Sequence, residues 1–517
     1  MSLPDVTDTL LSVLQTLGQN TRNLVLGLLG ILIFSSIVKR FRRWYRLRHI
    51  PGPSLAGFSR LWLARLYVKG QVHEDWKVLA DTYGTVVRIG PNEVLCTDVN
   101  SLYQMTSVRS QYKKDDWYLI GRINPDTDAD HIFSMCDPDQ RREHKKKIMP
   151  AYTARVSGGF EHSIDRGVVA LIDLIERKYV ASGSKFLPMD FAQKAHFYAL
   201  DSLGEVAYSK TLGFLTNDKD MNDIMKINEA TLPIMFVFND YPFLLRIART
   251  WPFNYLLPRD GDQNGFGAVM GHTSNLIDQR LAPNSKPEID MLQTFIHNGL
   301  TREEMKEELT IQFFAGTDTI ASAITMTFLF LLNNPSAYRK VQDEIDLAAT
   351  HGLISSPCRD IEARSSLPYL QAVIREGLRI FPPVATAAFY KDVPEGGDTV
   401  NGHFLPEGTR IATGASIFAI NRSTLFWGED ANVFRPERWL DVDEERLLAM
   451  TRVTDLIFGN GQFSCPGRAL ALIQMNKVFP ELLRRYNFTL VNPVRPLKLM
   501  GALAWIAHDL WVRVEKR

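Results

Sequence analysis

A single cysteine lies in a glycine-rich loop that leads directly into a helix-forming sequence. The loop reads FGNGQFSCPGR, runs from Phe458 to Arg468 and contains Cys465. The N-terminus of a helix lowers the pKa of a nearby thiol and favours the thiolate. Glycines at positions 459, 461 and 467 let the backbone approach a bulky flat group closely. Cys465 could therefore be a small buried apolar residue, an activated nucleophile or a thiolate ligand to a haem iron.

A second candidate for chemistry lies in the middle of a long apolar segment. Residues 300–335 predict one helix, which begins with a capping box of Thr301 and Glu304 and ends before Pro335. Its centre reads AGTDT, from Ala315 to Thr319, and glycine, threonine and aspartate are poor helix formers. The pattern predicts either a packing kink or a kink that presents an acid and a hydroxyl to a cavity. Polar residues within the segment favour the core of the protein over a membrane span.

Three charged residues in apolar sequence predict a buried network. Glu376 and Arg379 lie three residues apart in YLQAVIREGLRIFPP, so they share one face of a predicted helix. Buried charges need partners, and Arg438 of the segment FRPERW is a candidate third member.

The composition bounds the class of protein that holds these residues. The chain has 517 residues, 45% of them hydrophobic, which is enough for a large core. Its net charge of +1 gives no global field for nucleic acid or an acidic substrate. Its four cysteines include no C-x-x-C pair, which indicates a reducing compartment and neither a disulfide scaffold nor a structural zinc site. Most of the chain has helical patterns, with strand patterns near 84–98 and 389–413, so we expect a mainly α fold with small β-sheets.

The N-terminal sequence predicts a membrane anchor. Residues 24–38 form an uncharged apolar run, and six basic residues follow it between Lys39 and Arg48. Charges after the run fit one transmembrane helix with the remaining chain on the cytoplasmic side. We therefore divide the chain into an N-terminal segment (1–23), an anchor (24–38), a basic and proline-rich linker (39–53) and a catalytic domain (54–517).

Four of these stretches together resemble a known family. FGNGQFSCPGR, AGTDT, EGLR and FRPERW occur in the order and spacing that resemble the cytochrome P-450 family of haem-thiolate monooxygenases. The resemblance covers essentially the whole chain and is strongest to fungal membrane-bound members. It implies the cytochrome P-450 fold, a haem cofactor and a single-pass position in the endoplasmic reticulum membrane.

The resemblance also implies roles for residues of the cysteine loop. Cys465 would be the axial thiolate ligand and the metal-binding residue. Phe458 would pack near the sulfur, and Gly461 and Gly467 would permit the loop.

In the long helix, the resemblance places Ala315 and Gly316 over the haem face. Asp318 and Thr319 match the acid–alcohol pair that delivers protons during dioxygen activation. The structural charge network behind the haem would consist of Glu376, Arg379 and Arg438.

One residue departs from the family pattern. Phe463, two residues before the cysteine, stands where the family usually has an Arg or His that holds a haem propionate. Arg141, Lys145 and Lys391 occupy other positions from which a basic side chain could bind the propionates. We therefore hypothesise that basic residues at other positions supply the positive charge that Phe463 lacks.

These observations favour a monooxygenase that hydroxylates or epoxidises an apolar small molecule, in secondary metabolism. The sequence has no flavin or Rossmann fingerprint, so a separate NADPH-dependent flavoprotein reductase would supply electrons. The basic run RREHKKK, residues 141–147, is either a solvated helix face or partly a docking surface for that donor. Two alternatives remain: a haem-thiolate isomerase or dehydratase that uses no dioxygen, and a non-catalytic haem-binding protein.

Overall fold

The computed structural model describes most of residues 37–517. The exceptions in this range are residues 70, 123, 125, 126, 128, 154–159, 182–184, 232–241, 502 and 503. Nearer the N-terminus, it describes residues 23, 24, 26–28, 30, 31, 34 and 35. The predicted class is confirmed, because helices dominate and the strands form small sheets. The helices are α1 (Leu61–Lys69), α2 (Val72–Tyr83), α3 (Val99–Thr106), α4 (Pro138–Tyr152), α5 (Phe160–Lys178), α6 (Phe191–Tyr208), α7 (Phe214–Asn217), α8 (Pro242–Ala248), α9 (Gly265–Leu281), α10 (Met291–His297), α11 (Arg302–Leu332), α12 (Pro335–Thr350), α13 (Asp360–Ser366), α14 (Pro368–Ile380), α15 (Ser416–Asn421), α16 (Thr424–Trp427), α17 (Glu444–Asp455) and α18 (Arg468–Leu483). Residues 224–231 are also helical.

In the described part of the chain, short strands form four small sheets. The strands are β1 (Val86–Arg88), β2 (Glu93–Cys96), β3 (Lys113–Lys114), β4 (Met189–Asp190), β5 (Lys391–Asp392), β6 (Asp398–Val400), β7 (His403–Leu405), β8 (Arg410–Ala412), β9 (Tyr486–Leu490), β10 (Lys498–Gly501), β11 (Trp505–His508) and β12 (Trp511–Lys516). The largest sheet has the order β1-β2-β8-β5-β3, and the others are β4-β12-β9, β10-β11 and β6-β7.

The largest sheet brings two lysines together. Strands β1 and β2 confirm the strand pattern predicted near 84–98 and pair antiparallel, and β2 runs parallel to β8. At the far edge, β3 pairs with β5, so that Lys114 lies directly opposite Lys391. Like charges in directly opposed positions of a sheet are destabilising, which makes this pair unusual.

Helix α11 is the core helix that the sequence predicts. It begins at the predicted capping box of Thr301 and Glu304, and its C-cap is Asn333. It packs along α6, where the rings of Phe328 and Phe191 stack with centroids 4.1 Å apart. Among the residues that the structure describes, α11 is the one helix long and apolar enough to cross a membrane. However, 72% of its most apolar 18-residue window is buried in the protein, as expected of a core helix.

The predicted anchor lies only partly within the described residues. Those described between positions 23 and 46 are helical, and several of their apolar side chains, including Ile31 and Phe34, are exposed. Part of the predicted linker is held by the domain: the Arg88 guanidinium donates to the carbonyl oxygen of Trp44 at 3.0 Å, and Leu47 is fully buried. The folded domain therefore includes the end of the predicted linker. The predicted N-terminal segment, apart from residue 23, lies outside the described residues.

The predicted charge network is a fully buried cluster around Glu376. Arg379 forms a bidentate pair with Glu376, with two N–H···O distances of 2.8 Å. The Nε atom of Arg438 donates to the same carboxylate at 2.9 Å, as does the indole N–H of Trp439. The backbone N–H of Arg435 supplies a fifth hydrogen bond at 3.0 Å. One carboxylate therefore joins α14 to the segment that contains FRPERW.

The arginines of this network bind the neighbouring backbone as well. Arg379 donates to the carbonyl oxygens of Asn421 at 2.6 Å and Ala431 at 2.8 Å. Arg438 donates to the carbonyl oxygen of Asp430 at 3.0 Å. Removing the charge of Glu376 would leave both guanidinium groups buried without their shared anion.

We predict that Glu376→Gln destabilises the protein. Breaking a buried ion pair at one partner costs about 3–5 kcal/mol, because the remaining charge stays buried. The urea midpoint of unfolding of the purified protein should fall clearly below that of the wild type. The control is Glu395→Gln, at an exposed glutamate, which should leave the midpoint within error. Equal midpoints for the two variants would contradict a supporting role for the network.

Candidate active site

The cysteine loop depends on two glycines with left-handed backbone conformations. Gly459 has φ = 65° and Gly461 has φ = 54°. A Cβ atom at Gly461 would lie 2.3 Å from the carbonyl oxygen of Thr106, so no larger residue fits there. Gly467 has φ = −78°, and a Cβ atom would meet only the sulfur of Cys465, at 3.9 Å. Gly461 is therefore needed for the loop, whereas the need for Gly467 stays a prediction.

Cys465 is held immediately before α18. Its backbone N–H donates to the carbonyl oxygen of Phe458 at 2.7 Å, which closes the loop. The N–H groups of Gly467 and Arg468 donate to its sulfur, and Lys145 is a nearby cation. These groups lower the pKa of the thiol, but burial outweighs them, and the net effect is a raised pKa.

The electrostatics of Cys465 correct one expectation. The start of α18 does not by itself make a thiolate, because desolvation of the sulfur is the larger effect. A metal cation bound to the sulfur would take the place of the proton. The side chain also has accessible surface, although protein surrounds it. We interpret this surface as facing the interior of the protein, where the sulfur is open to a ligand.

One face of α11 is accessible in the middle of an otherwise buried helix. Ala315 is exposed, and Ile311 and Thr319 are half-buried. These three residues are four positions apart and therefore line one face of the helix. Helix α11 continues without a break through this segment, and the Thr319 hydroxyl donates to the Ala315 carbonyl oxygen at 2.7 Å. Such a bond to the preceding turn can bend a helix, so the kink stays a prediction. A Cβ atom at Gly316 would meet Leu203 at an ordinary 3.5 Å, so packing does not require that glycine.

Asp318 does not share the accessible face with Thr319. It is buried, and its Oδ1 atom lies 2.8 Å from Nε2 of His196 on α6. Successive residues of an α-helix point about 100° apart, so the acid and the hydroxyl lie on different sides of α11. The sequence analysis missed His196, although a histidine in a helix that is buried almost all round is a usable signal.

Two of the proposed cations lie on α4 and bind the cysteine loop directly. Arg141 donates to Oε1 of Gln462 at 2.7 Å and to its carbonyl oxygen at 3.4 Å. The ammonium of Lys145, one turn later, lies 3.1 Å from the Ser464 hydroxyl and 3.3 Å from the Gln462 carbonyl oxygen. The basic run thus places two cations beside the residues that precede Cys465.

Two further cations come from the edge of the largest sheet. Lys391 donates to the Tyr118 hydroxyl and to the carbonyl oxygen of Phe389 at 3.3 Å. Lys114, which the sequence analysis missed, donates to the carbonyl oxygens of Ile132 and Phe133, both at 2.8 Å. Only the pairing of β3 with β5 brings Lys114 to this place, and no local pattern predicts that pairing.

Phe463 lies between two of these cations. Its ring centroid is 4.4 Å from the guanidinium carbon of Arg141 and 4.4 Å from the ammonium of Lys391. Both distances are within the range of cation–π attraction. The residue that departs from the family pattern is thus in direct contact with two of the three residues proposed to replace the missing cation.

The four cations have neutral hydrogen-bond partners; Arg141 and Lys391 are buried, and Lys114 and Lys145 are half-buried. In the part of the chain that the structure describes, Lys114, Arg141, Lys145 and Lys391 bind carbonyl, amide and hydroxyl oxygens and no carboxylate. Burial, followed by repulsion from Arg141, lowers the pKa of Lys391 to about 7. The same two causes lower the pKa of Lys114 well below its usual value and lower that of Lys145, and burial lowers that of Arg141. An anionic group bound here would relieve this repulsion.

The remaining charges of α4 face outward or pair with glutamate. Arg142 pairs with Asp139, and Lys146 lies 2.7 Å from Glu143. These two basic side chains are exposed, as the solvated-face interpretation predicts. The run is therefore divided between an inner face at 141 and 145 and an outer face at 142 and 146.

The family resemblance also implies substrate-lining segments near 117–123, 232–242, 311–315, 384–388 and 501–505, and the structure describes them only in part. Trp117, Ala387 and Ala388 are buried in one apolar cluster with Phe389. Trp505 is buried against Phe381. The segment 232–241 lies outside the described residues.

These residues fit a haem group. They provide a sulfur open to a ligand, an accessible helix face, and cations that bind no carboxylate of the protein and so are available to two propionates.

Comparisons with known proteins agree with this interpretation. The family model described as Cytochrome P-450 matches residues 51–507.

Three fungal relatives are similar over nearly their whole length. The chain is 36% identical to cytochrome P-450 monooxygenase ABA1 of Pyricularia oryzae over 95% of this chain and 96% of that protein. It is 34% identical to cytochrome P-450 monooxygenase aba1 of Botryotinia fuckeliana, over 90% and 92% respectively. It is also 34% identical to cytochrome P-450 monooxygenase abl1 of Leptosphaeria maculans, over 96% and 88%. The cysteine loop, the charge network and these similarities together show that the chain belongs to the cytochrome P-450 family of haem-thiolate monooxygenases.

Proposed function

We propose that the protein is a membrane-anchored monooxygenase that hydroxylates or epoxidises an apolar small molecule in secondary metabolism. The observation that carries this proposal is the cation cluster beside Cys465, because it suits a group that carries both a metal and carboxylates. When bound, the haem supplies the redox chemistry of dioxygen activation. The sulfur of Cys465 would bind its iron, and Arg141, Lys145 and Lys391 would bind its propionates.

Asp318 and Thr319 are proposed to supply protons from different sides of α11, about 100° apart. The contact with His196 fixes the Asp318 carboxylate on the buried side. The Thr319 hydroxyl is on the accessible face and already donates to the Ala315 carbonyl oxygen. It can accept a hydrogen bond through its oxygen while it donates, so it can hold a water molecule or a reacting group at Oγ1.

The remaining parts of the proposal concern partners and position. Ala315 and Ile311 give the accessible helix face an apolar surface, which suits an apolar substrate. The exposed basic side chains of α4, on the same helix as Arg141 and Lys145, suit an acidic NADPH-dependent flavoprotein reductase. The exposed apolar side chains between 24 and 37, followed by six basic residues, support an anchor in the endoplasmic reticulum membrane with the catalytic domain in the cytoplasm.

The direct test uses the full-length chain, co-expressed with an NADPH-dependent flavoprotein reductase in yeast. The protein should stay with the membranes after carbonate extraction. Microsomes supplied with NADPH should convert members of a panel of apolar terpenoid and polyketide compounds to products heavier by one oxygen atom. Incorporation of labelled oxygen from dioxygen separates this reaction from an isomerase or dehydratase. Products that carry no label from dioxygen would contradict the monooxygenase assignment.

We predict that Cys465→Ser removes thiolate ligation. The reduced carbon monoxide complex of the wild-type protein should show the long-wavelength Soret band that marks a thiolate ligand, and the variant should lack it. The matched control is Cys136→Ser, because Cys136 is a partly buried cysteine whose thiol contacts backbone carbonyl oxygens. A thiolate band that survives in the Cys465 variant would show that another residue is the ligand.

We predict that Thr319→Ala uncouples NADPH consumption from product formation. A positioned proton donor typically contributes about 10²–10⁴-fold, so product formation should fall roughly 10²-fold while NADPH oxidation changes far less. Thr317→Ala is a matched control. Its hydroxyl makes the same 2.7 Å bond to the preceding turn, at Phe313, but it is buried away from the accessible face. Identical coupling ratios in the two variants would refute the role of Thr319.

We predict that Arg141→Ala lowers haem occupancy in the purified protein. A hydrogen bond to a charged group contributes about 1.5–3 kcal/mol, and the variant loses one such contact to a propionate. Haem content per polypeptide is the measurement. Arg142→Ala, at the adjacent exposed arginine of the same helix, should retain full occupancy. Full haem content in the Arg141 variant would mean that the propionates lie elsewhere.

A further inference from the structure

Cations and aromatic rings alternate in one chain of contacts beside the cysteine loop. Arg141 is 4.4 Å from the Phe463 ring, and Lys391 is 4.4 Å from the same ring. Lys391 is also 4.5 Å from the Tyr118 ring, and Lys114 is 4.7 Å from that ring. The order is Arg141, Phe463, Lys391, Tyr118 and Lys114. We call these five residues the cation–ring ladder.

This order is physically favourable for positive charges that must lie close together. The face of an aromatic ring carries negative charge density, so a ring between two cations attracts both of them. A carboxylate in the same place would neutralise the cations, and they would then attract a bound anion only weakly. A ring holds them in position without removing their charge. The ladder is therefore suited to keeping cations available for a ligand.

We propose that Phe463 and Tyr118 are positioning residues of the haem site, which hold Arg141, Lys391 and Lys114 in place for the haem carboxylates by cation–π contacts. Phe463 therefore replaces the missing cation indirectly, by holding two others at the site. The proposal adds Lys114 and Tyr118 to the residues that serve the cofactor. It rests on the proposed function, because the anion in question is the pair of haem propionates.

The competing explanation is that Phe463 only fills space. In that case any apolar residue of similar size would serve, and the effect of a substitution would not depend on the neighbouring cations. In the ladder, the effect of Phe463 depends on Lys391, because the ring acts on haem only through its cations. A double-mutant cycle separates the two explanations.

The experiment measures how fast the purified holoenzyme loses haem to an excess of a haem-scavenging apoprotein. Phe463→Leu should accelerate haem loss about tenfold, equivalent to about 1.4 kcal/mol, because two desolvated cation–π contacts are lost. Phe463→Tyr retains the ring and should lose haem at the wild-type rate. In a Lys391→Met background, the effect of Phe463→Leu should shrink to the part that Arg141 contributes. An undiminished effect in that background, or equal rates for the Leu and Tyr variants, would overturn the proposal.

A charge exchange provides a second test. Phe463→Arg alone adds a cation between Arg141 and Lys391 and should accelerate haem loss through repulsion. Combined with Arg141→Met, which restores the number of cations, it should return haem loss to within about threefold of the wild-type rate, less than 1 kcal/mol. Additive acceleration by the two substitutions would overturn the proposal.

The outcome also distinguishes this proposal from the proposed function. Because the rate is measured on the haem-loaded fraction, partial loading does not prevent the measurement. If Phe463→Leu yields no haem-loaded protein, the haem content of the double variant Phe463→Leu with Lys391→Met is measured instead. Haem binding by the double variant supports the ladder, and a double variant without haem contradicts it. A wild-type protein without thiolate ligation would refute the proposed function itself. Normal ligation with haem loss that is insensitive to Phe463 refutes only the ladder.

Discussion

The constraint on which the site depends is a cluster of cations that, in the described part of the chain, bind no carboxylate directly. The cluster consists of Lys114, Arg141, Lys145 and Lys391, and their described partners are neutral oxygens and the rings of Tyr118, Phe133 and Phe463. Taking a charge out of water is expensive unless a partner compensates for it, and here each cation also repels the next. Such an arrangement is favourable overall only when an anion completes it. The fold therefore carries, beside the accessible Cys465, a site suited to an anionic metal-containing group.

The rest of the fold keeps these charges in place. Glu376 accepts five hydrogen bonds from side chains and backbone and joins α14 to the segment around Arg438. Helix α4 holds Arg141 and Lys145 one turn apart, and the β3–β5 pair holds Lys114 opposite Lys391. Helix α11 supplies the accessible face with Thr319, while α6 binds Asp318 from the other side. Rigid elements thus set the position of each reactive or charged group, which is what a precise site requires.

Local sequence predicted the parts of this site that depend on local spacing. The caps of α11, the Glu376–Arg379 pair and the role of glycine at 461 follow from residue types a few positions apart. The choice of Arg141, Lys145 and Lys391 came from family resemblance, and the structure brings all three beside the loop.

What the sequence could not predict depends on contacts between distant segments. Lys114 and Tyr118 join the site because β3 pairs with β5, and His196 meets Asp318 because α6 packs on α11. The expected lowering of the pKa of Cys465 fails because burial, which sequence does not reveal, outweighs the start of α18. These differences all arise from tertiary packing rather than from misread local patterns.

The most direct test of the central claim is an experimental structure of the haem-loaded protein. The account predicts that the sulfur of Cys465 binds the iron and that the propionate oxygens lie within hydrogen-bond distance, about 2.7–3.2 Å, of Arg141, Lys145 or Lys391. It also predicts that Phe463 stays between Arg141 and Lys391. Propionates that point away from all these cations, or an iron bound by another residue, would contradict it.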